Sequence, residues 1–524
     1  MHSYSQHLLA LSSFYCFGES IDLQSLHGFI PRTLESCHIG YHVTHGDFIE
    51  TPITFLNEEA ERILLMEIRV YFGNTKALYS ITLAGENICV ITGGDDIGEL
   101  YKNTSTITWE NLIKDMYTFV GLSPKSINGM FSEDREQPGF TGFGVPTRSA
   151  HEMTSEYHRQ QLLSSANLEI LLQRLIPGLQ KNLSWEVLKQ HSACERKSQD
   201  SVTLSLWAWC NEVIINGSTN AYYGPKIFEI NPNLLQAIMA WEDTNWKFFY
   251  HLPNFMARDM TDAKHEVIDT LCRYFETPQE ERPGMLHFVT AMEAEMRSSG
   301  LSNRETAGIH MLHLWAITGN VYKAAFWIIA YLVHDQSLLA RIREEVAPAI
   351  EGESVNLNHL TENCPRLESL FNEVLRVNSA GALAREVIAP TMFAAQRHET
   401  YGNQEIFPLK LLMLTFWHRF LTVSFTLMEM CGDQALMTLT RKDFSRTEAS
   451  HVVITTDLLE EGLHCALGVF WLEKPSTPLL LFFFVDQSDV DQKFPRLDDT
   501  TAGIGTMAPM HGCDVKLVIK PMKI

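Results

Sequence analysis

The chain has 524 residues and a formal net charge of −22, which excludes a general nucleic-acid binder, because nothing in it would replace the counterions on phosphates. Hydrophobic residues make up 45%, as in an ordinary soluble globular protein, and the length admits three domains or one large one. Ten cysteines scatter without a CxxC pair, which excludes a zinc ribbon or a disulfide framework and points to a reducing, intracellular setting.

The first twenty residues, MHSYSQHLLALSSFYCFGES, lack a positive n-region and a sustained apolar stretch, so no signal peptide is expected. Residues 1–69 have no clear period and stay unassigned. Apolar runs at 77–83 and 87–92 flank Ala84-Gly85-Glu86 and predict a β-hairpin. A short helix is expected at 95–101. Helical spacing dominates 149–185, 202–215, 233–250 and 261–274, and returns at 336–347 and 366–377. Runs at 411–417, 420–428 and 479–485 fall short of the roughly 20 apolar residues of a membrane helix, so none is expected to span a bilayer. The pattern predicts a mainly α protein with a small β-sheet (α+β).

The stretch 302–334 organises the rest. Ser302 and Glu305 have the spacing of a capping box. Apolar residues then fall on nearly every side from Ile309 to Leu332, which predicts a helix buried all round. Thr318-Gly319-Asn320 interrupts it. A glycine inside a helix costs about 1 kcal/mol against alanine, and its missing side chain leaves room for a flat ligand. Packing alone also explains such an insert, as a tolerated glycine beside a satisfied asparagine.

Further on, Glu373 and Arg376 are three apart and share a helix face. Such pairs are usually solvated. Leu370, Phe371, Val374 and Leu375 surround this one, and a buried pair would need a third partner. Arg385 follows a Ser-Ala-Gly-Ala-Leu-Ala bend, placed to meet a bound anion.

In these residues the chain resembles the cytochrome P450 family. The long helix is similar to the one that covers haem, and its form LWAITGNVYKAAFW to the branch containing prostacyclin synthase and cholesterol 7α-hydroxylase. Glu373-x-x-Arg376 matches the family's Glu-x-x-Arg pair, and Arg385 its propionate-binding arginine. Further resemblance lies at 71–111, in EYHRQQL at 156–162 and at 509–521. Most members carry an acid–threonine pair in the long helix. Val321-Tyr322 stands there instead, beside Asn320.

The family's loop FGGGxxxCPGR, whose cysteine thiolate binds iron, is not found from 391 onward. Cys431, Cys465 and Cys513 each read more naturally as inert thiols than as ligands, and Cys465 alone lies at about the right distance from the end. The loop is present one base out of phase. With each triplet started one base earlier, Leu459-Glu460-Glu461-Gly462 permits three glycines, and the Cys465–Ala466 joint permits cysteine followed by Pro-Gly-Arg-Phe. The same shift permits Pro-Glu-Arg-Phe across 440–444 and Pro-Tyr-Arg-Gln-Leu across 420–425. The segment 400–486 is therefore expected to be translated out of frame, within one P450-like haem domain at 70–524, and 391–490 is not family-like as translated.

The resemblance implies a haem-thiolate monooxygenase that hydroxylates a lipophilic, sterol- or fatty-acyl-like substrate. Its cofactor would be haem b with its iron, and NADPH would act through a flavin reductase. Gly319 and Asn320 would stand at the oxygen site. Ala316, Glu373, Arg376 and Arg385 would hold haem, and Cys465 would be the metal ligand if any printed cysteine is. A second reading keeps haem but rearranges a lipid endoperoxide or hydroperoxide without external electrons. A third takes the exact polypeptide as inactive. The resemblance also implies a monomer at the endoplasmic reticulum membrane surface, although no anchor is visible.

Overall fold

The computed structural model describes residues 102–103, 105–108, 110–133, 149–249, 254–351, 354–380, 382–389, 493–498 and 505–520. Leu100, Leu252 and short strands at 41–42, 48–49, 79–83, 86–91 and 410–414 are also described. The predicted helix at 95–101 lies outside these residues except for Leu100, and Cys431 and Cys465 lie outside them altogether.

The mainly helical frame with small sheets is as expected. Its longer helices among the described residues are α1 (Glu110–Phe119), α2 (Pro124–Phe131), α3 (Ala150–Leu162), α4 (Ser165–Leu183), α5 (Leu206–Tyr223) and α6 (Leu234–Thr244). They continue as α7 (Arg258–Glu276), α8 (His287–Ser298), α9 (Asn303–Thr318), α10 (Val321–His334), α11 (Gln336–Val346) and α12 (Pro365–Asn378). Helix α9 packs against α7, and α10 against α5 and α12, so the α9–α10 pair runs through the centre. Phe326, Trp327 and Tyr322 on α10 are fully buried.

The pair spanning Asn303–His334 is long and apolar enough to cross a membrane, a property the search for uninterrupted runs missed. Burial of 89% of its most apolar window makes it a core helix instead.

One sheet contains β1 (Tyr79–Leu83), β2 (Glu86–Ile91), β3 (Ile107–Thr108), β7 (Ala382–Val387) and β8 (Lys410–Leu414), in the order β1-β2-β8-β7-β3. The predicted hairpin is β1–β2, antiparallel with Leu83 opposite Glu86. Strand β8 lies in the segment expected to be out of frame, yet it pairs parallel with β2 and antiparallel with β7, Leu411 opposite Arg385. Backbone pairing accepts any apolar run of the right length, so this strand carries no information on reading phase.

A second sheet corrects the sequence reading at 202–215. Val202–Ser205 is strand β5, between β4 (Cys194–Lys197) and β10 (Lys516–Ile519). Val202 and Leu204 are fully buried, a two-residue period that helical spacing hides in so short a stretch. The helix begins only at Leu206, where Ser205 Oγ accepts from Ala208 N–H and donates to Asp514. A third, short pairing joins β6 (Ser379–Ala380) to β9 (Gly505–Thr506).

The capping box at Ser302 forms and does more than cap α9. Glu305 Oε2 accepts from Ser302 N–H at 3.0 Å, while Oε1 accepts from Ser126 Oγ at 2.6 Å and Ser123 N–H at 3.1 Å, at the start of α2. Burial pushes this carboxyl up, but the hydrogen bonds outweigh it and leave it at about 2. Two helix starts thus depend on one side chain. Glu305→Ala is expected to cost about 2 kcal/mol, roughly 1 per lost cap. Urea unfolding checks this, and a loss below about 0.5 kcal/mol would show that water replaces the carboxylate at both ends.

Candidate functional site

The interruption in the long helix is a turn, not a sharp bend. Gly319 and Asn320 keep near-helical angles, φ −66° and −115°. The ladder runs up to Gly319 N–H to Trp315 O and resumes with Ala324 N–H to Asn320 O. Thr318 Oγ1 donates back to Leu314 O, a local bond that competes with the ladder.

Asn320 is 8% exposed, and its Oδ1 accepts from Thr506 N–H at 2.6 Å. Its neighbour Gly505 has φ +92°, and a Cβ there would lie 2.2 Å from Asn320 Oδ1, so glycine is required at this crossing. Two turns along, Trp327 Nε1 donates to Met507 O at 2.8 Å, and Met507 N–H donates to Asn378 O at the end of α12. Strand β9 therefore stitches the helix break to the helix that carries Glu373 and Arg376. No local pattern signals this contact, because its two sides are 186 positions apart.

Glu373 and Arg376 form the predicted pair, Nε to Oε2 at 2.7 Å and Nη2 to Oε1 at 2.5 Å. Of the two readings left open for this pair, the solvated one fits, since the two side chains are 39% and 22% exposed. The apolar residues around the pair in sequence do not all face the same way: Phe371 and Val374 are buried, whereas Leu370 and Leu375 are only partly so. Arg385, on β7, is buried at 4% exposure. Ala316 lies on α9 one turn before Asn320 and is also buried.

Gly319 differs from the expectation of open room for a flat ligand. A Cβ there would come within 2.7 Å of Glu242 Oε1 and 2.9 Å of Trp315 O. The vacated space is filled by α6. Glu242 Oε2 in turn meets Lys323 Nζ at 2.7 Å, with side-chain exposures of 3% and 14%. The sequence reading missed this pair, although a lone lysine inside VYKAAFWIIAYLV was a usable signal: a buried ammonium needs a counter-ion.

The described residues suit one side of a haem. Ala316 offers a face without bulk, and the buried guanidinium of Arg385 suits a carboxylate edge. Three of the five described cysteines are held as thiols. Burial, then Asp514, pushes the Cys210 thiol well up; burial, then Glu345, pushes Cys364 to about 11; burial first also raises Cys272. All three are held as inert thiols.

In fold, the chain is similar to the crystal structure of the cytochrome P450DA heme domain, with a TM-score of 0.57 at 11% identity over 88% of this chain and 93% of that one. The helical frame around the α9–α10 pair is thus the cytochrome P450 fold. In sequence, residues 217–397 match the family model Cytochrome P450. That stretch is thus similar in sequence to the cytochrome P450 family, and in fold the chain is similar to a P450 heme domain. It is 19% identical over 323 residues to the cytochrome P450 monooxygenase poxD of Penicillium oxalicum, which covers 60% of this chain and 61% of the relative. To the prostacyclin synthase of Bos taurus it is 31% identical over 101 residues, 18% of this chain and 20% of the relative. The chain spans about three fifths of the first curated relative it matches and a fifth of the second.

Proposed function

We propose that the gene for this chain encodes a haem-thiolate monooxygenase that hydroxylates a lipophilic, sterol- or fatty-acyl-like substrate. Electrons would come from NADPH through a flavin reductase, at the endoplasmic reticulum membrane. We also propose that residues 70–524 form one haem domain whose segment 400–486 is printed out of frame. The observation that supports this reading best is the tie of Asn320 to Gly505–Thr506 beside α12. It draws together three separated stretches that resemble the family. Bound haem, with its cysteine thiolate, supplies the means to activate oxygen. The chain's own residues would do the rest: Arg385 offsets a propionate, Ala316 leaves room for the ring, and the Asn320 amide holds a polar atom at the break. The apolar core around them excludes water from a lipophilic guest.

Sequencing the transcript across codons 390–490 tests the reading frame, with a missed intron or a shifted base expected. Protein made from the in-phase message is expected to bind haem one to one and to give the carbon-monoxide band of thiolate-bound iron. The chain as printed is expected to bind haem poorly. Stoichiometric haem with that band in the printed chain would reverse this and assign Cys465 as the ligand.

The replacement of the acid–threonine pair by Val321-Tyr322 favours a second reading, an isomerase that rearranges a lipid endoperoxide or hydroperoxide. Turnover of a lipid hydroperoxide without NADPH or reductase would establish it and remove the monooxygenase reading.

A further inference from the structure

Residues 493–498 and 505–520 meet the helical frame mainly through their own backbone. Leu206 N–H donates to Val515 O at 2.9 Å, and β10 then runs antiparallel along β5, Lys516 opposite Ser205 and Ile519 opposite Val202. Alternate side chains of this stretch, Val515, Leu517 and Ile519, are buried, while Lys516 pairs with Glu195 on β4. Main-chain bonds along a strand edge, with burial of every second side chain, are how sheets take up extended peptides.

Two further contacts fix the register. Asp514 lies just before the strand and caps α5, its Oδ1 accepting from Trp207 N–H at 2.9 Å and its Oδ2 from Ser205 Oγ at 2.6 Å. An orphan amide at a helix start is thus satisfied by a residue from the far end of the chain. At the other contact, Thr506 N–H binds Asn320, and Met507 is held on both sides by Trp327 Nε1 and Asn378 O. The segment also folds on itself. Met510 N–H donates to Arg496 O and Asp498 N–H to Ala508 O, around a bridge between Leu497 and Pro509. Such internal bonds lower the entropy lost on docking. Phe494 closes the outer edge, its ring 4.7 Å from that of Tyr331. Every partner named here lies before position 379, and β9 adds only Ser379 and Ala380.

We propose that β5, the start of α5, the helix break and the end of α12 form a peptide-binding groove. Its ligand is residues 493–520, held as a separable piece without help from the chain that joins them to Ala380. The recognised pattern has glycine at 505, where φ is +92° and a Cβ would meet Asn320 Oδ1. An acidic residue follows at 514, and apolar ones at 515, 517 and 519. Seated, the segment makes β5 an inner strand. A chain whose reading frame does not return before Lys493 leaves β5 an open edge and α5 without the Asp514 cap, and the same segment supplied in trans restores both. The inference rests on neither haem nor the P450 reading.

The test uses the full-length chain with a protease site inserted between positions 488 and 489, folded and then cut. The piece that contains 493–524 is expected to elute with the remainder from a sizing column, and the circular-dichroism spectrum to equal that of the uncut protein. A fluorescent synthetic peptide of residues 493–524 is expected to exchange into the cut protein and to be displaced by the unlabelled peptide. Asp514→Ala in the peptide should weaken binding about fivefold, the equivalent of one lost cap. Gly505→Ala should weaken it at least about tenfold, through backbone strain and the clash with Asn320. Lys520→Ala, at an exposed position, should leave it unchanged. Separation of the pieces on cutting, with or without loss of helix, overturns the proposal. So does a retained piece that the peptide does not displace, or a peptide that binds equally well with and without Asp514→Ala and Gly505→Ala.

Discussion

Acidification from pH 6.5 to 4.5 is expected to remove roughly 5 kcal/mol of stability through His151 and His313 alone. His313 is buried and His151 half-buried. Desolvation is the first cause in each and lowers His151 to about 4 and His313 to about 3 from an ordinary 6.5. Folded pKa values below the unfolded one mean that the unfolded chain binds protons first as pH falls. Above pH 6.5 both states are neutral and nothing is lost. Below it each histidine costs roughly 1.4 kcal/mol per pH unit, until the folded ring itself titrates. Two units and two rings give the figure. His158 and His310 are lowered well below the ordinary value by the same cause and add to it. The neutral state is built in: His158 Nε2 and His313 Nδ1 share a hydrogen bond at 2.8 Å, which needs one ring to accept. Urea midpoints at pH 7 and 4.5 check this. His313→Asn, which cannot titrate, should lose about half as much of the two-ring figure over the same interval. Equal losses in variant and wild type would show that the cluster opens to water before it protonates.

What could be read from the sequence was what neighbouring residues decide. The capping box at Ser302 and the β1–β2 hairpin depend on groups within a few positions, and both were found. Strand β5 was lost to a helix because its partners lie far away: Ser205 meets Asp514 across 309 positions. The same limit hid the site's second half. Gly319, Asn320 and Lys323 stand together in one stretch, yet nothing near them indicates that Glu242 fills the glycine's space or that Thr506 holds the asparagine. Glu373 and Arg376 are the converse case. Their spacing predicted the contact, but burial depends on what covers the helix, and α12 leaves the pair half-exposed. Local rules give contacts along an element, and only the fold gives contacts between them.

The other large effect is expected at Arg282, which is 2% exposed. Its Nη2 donates to both oxygens of Glu293 at 2.9 Å, and its guanidinium lies 4.8 Å from the centre of the Tyr274 ring. Arg297 shares Glu293 Oε1 from the surface side at 2.8 Å. Removing Arg282 leaves a cavity and a buried carboxylate with half its counter-charge. Arg282→Ala should therefore destabilise by about 3–5 kcal/mol. Arg297→Ala should cost less than about 1, since Arg297 is 45% exposed and solvent screens it. The pair need not be stabilising in itself, because Arg282 Nε and Nη1 are buried without partners among the described residues. Arg282→Met combined with Glu293→Leu is accordingly expected to recover most of the loss. A double-mutant cycle in urea decides the matter. If the double variant is as unstable as Arg282→Ala, the ion pair is a net source of stability. If it recovers, the pair's role is to fix how α8 sits against α7, since an apolar replacement matches its energy but not its direction.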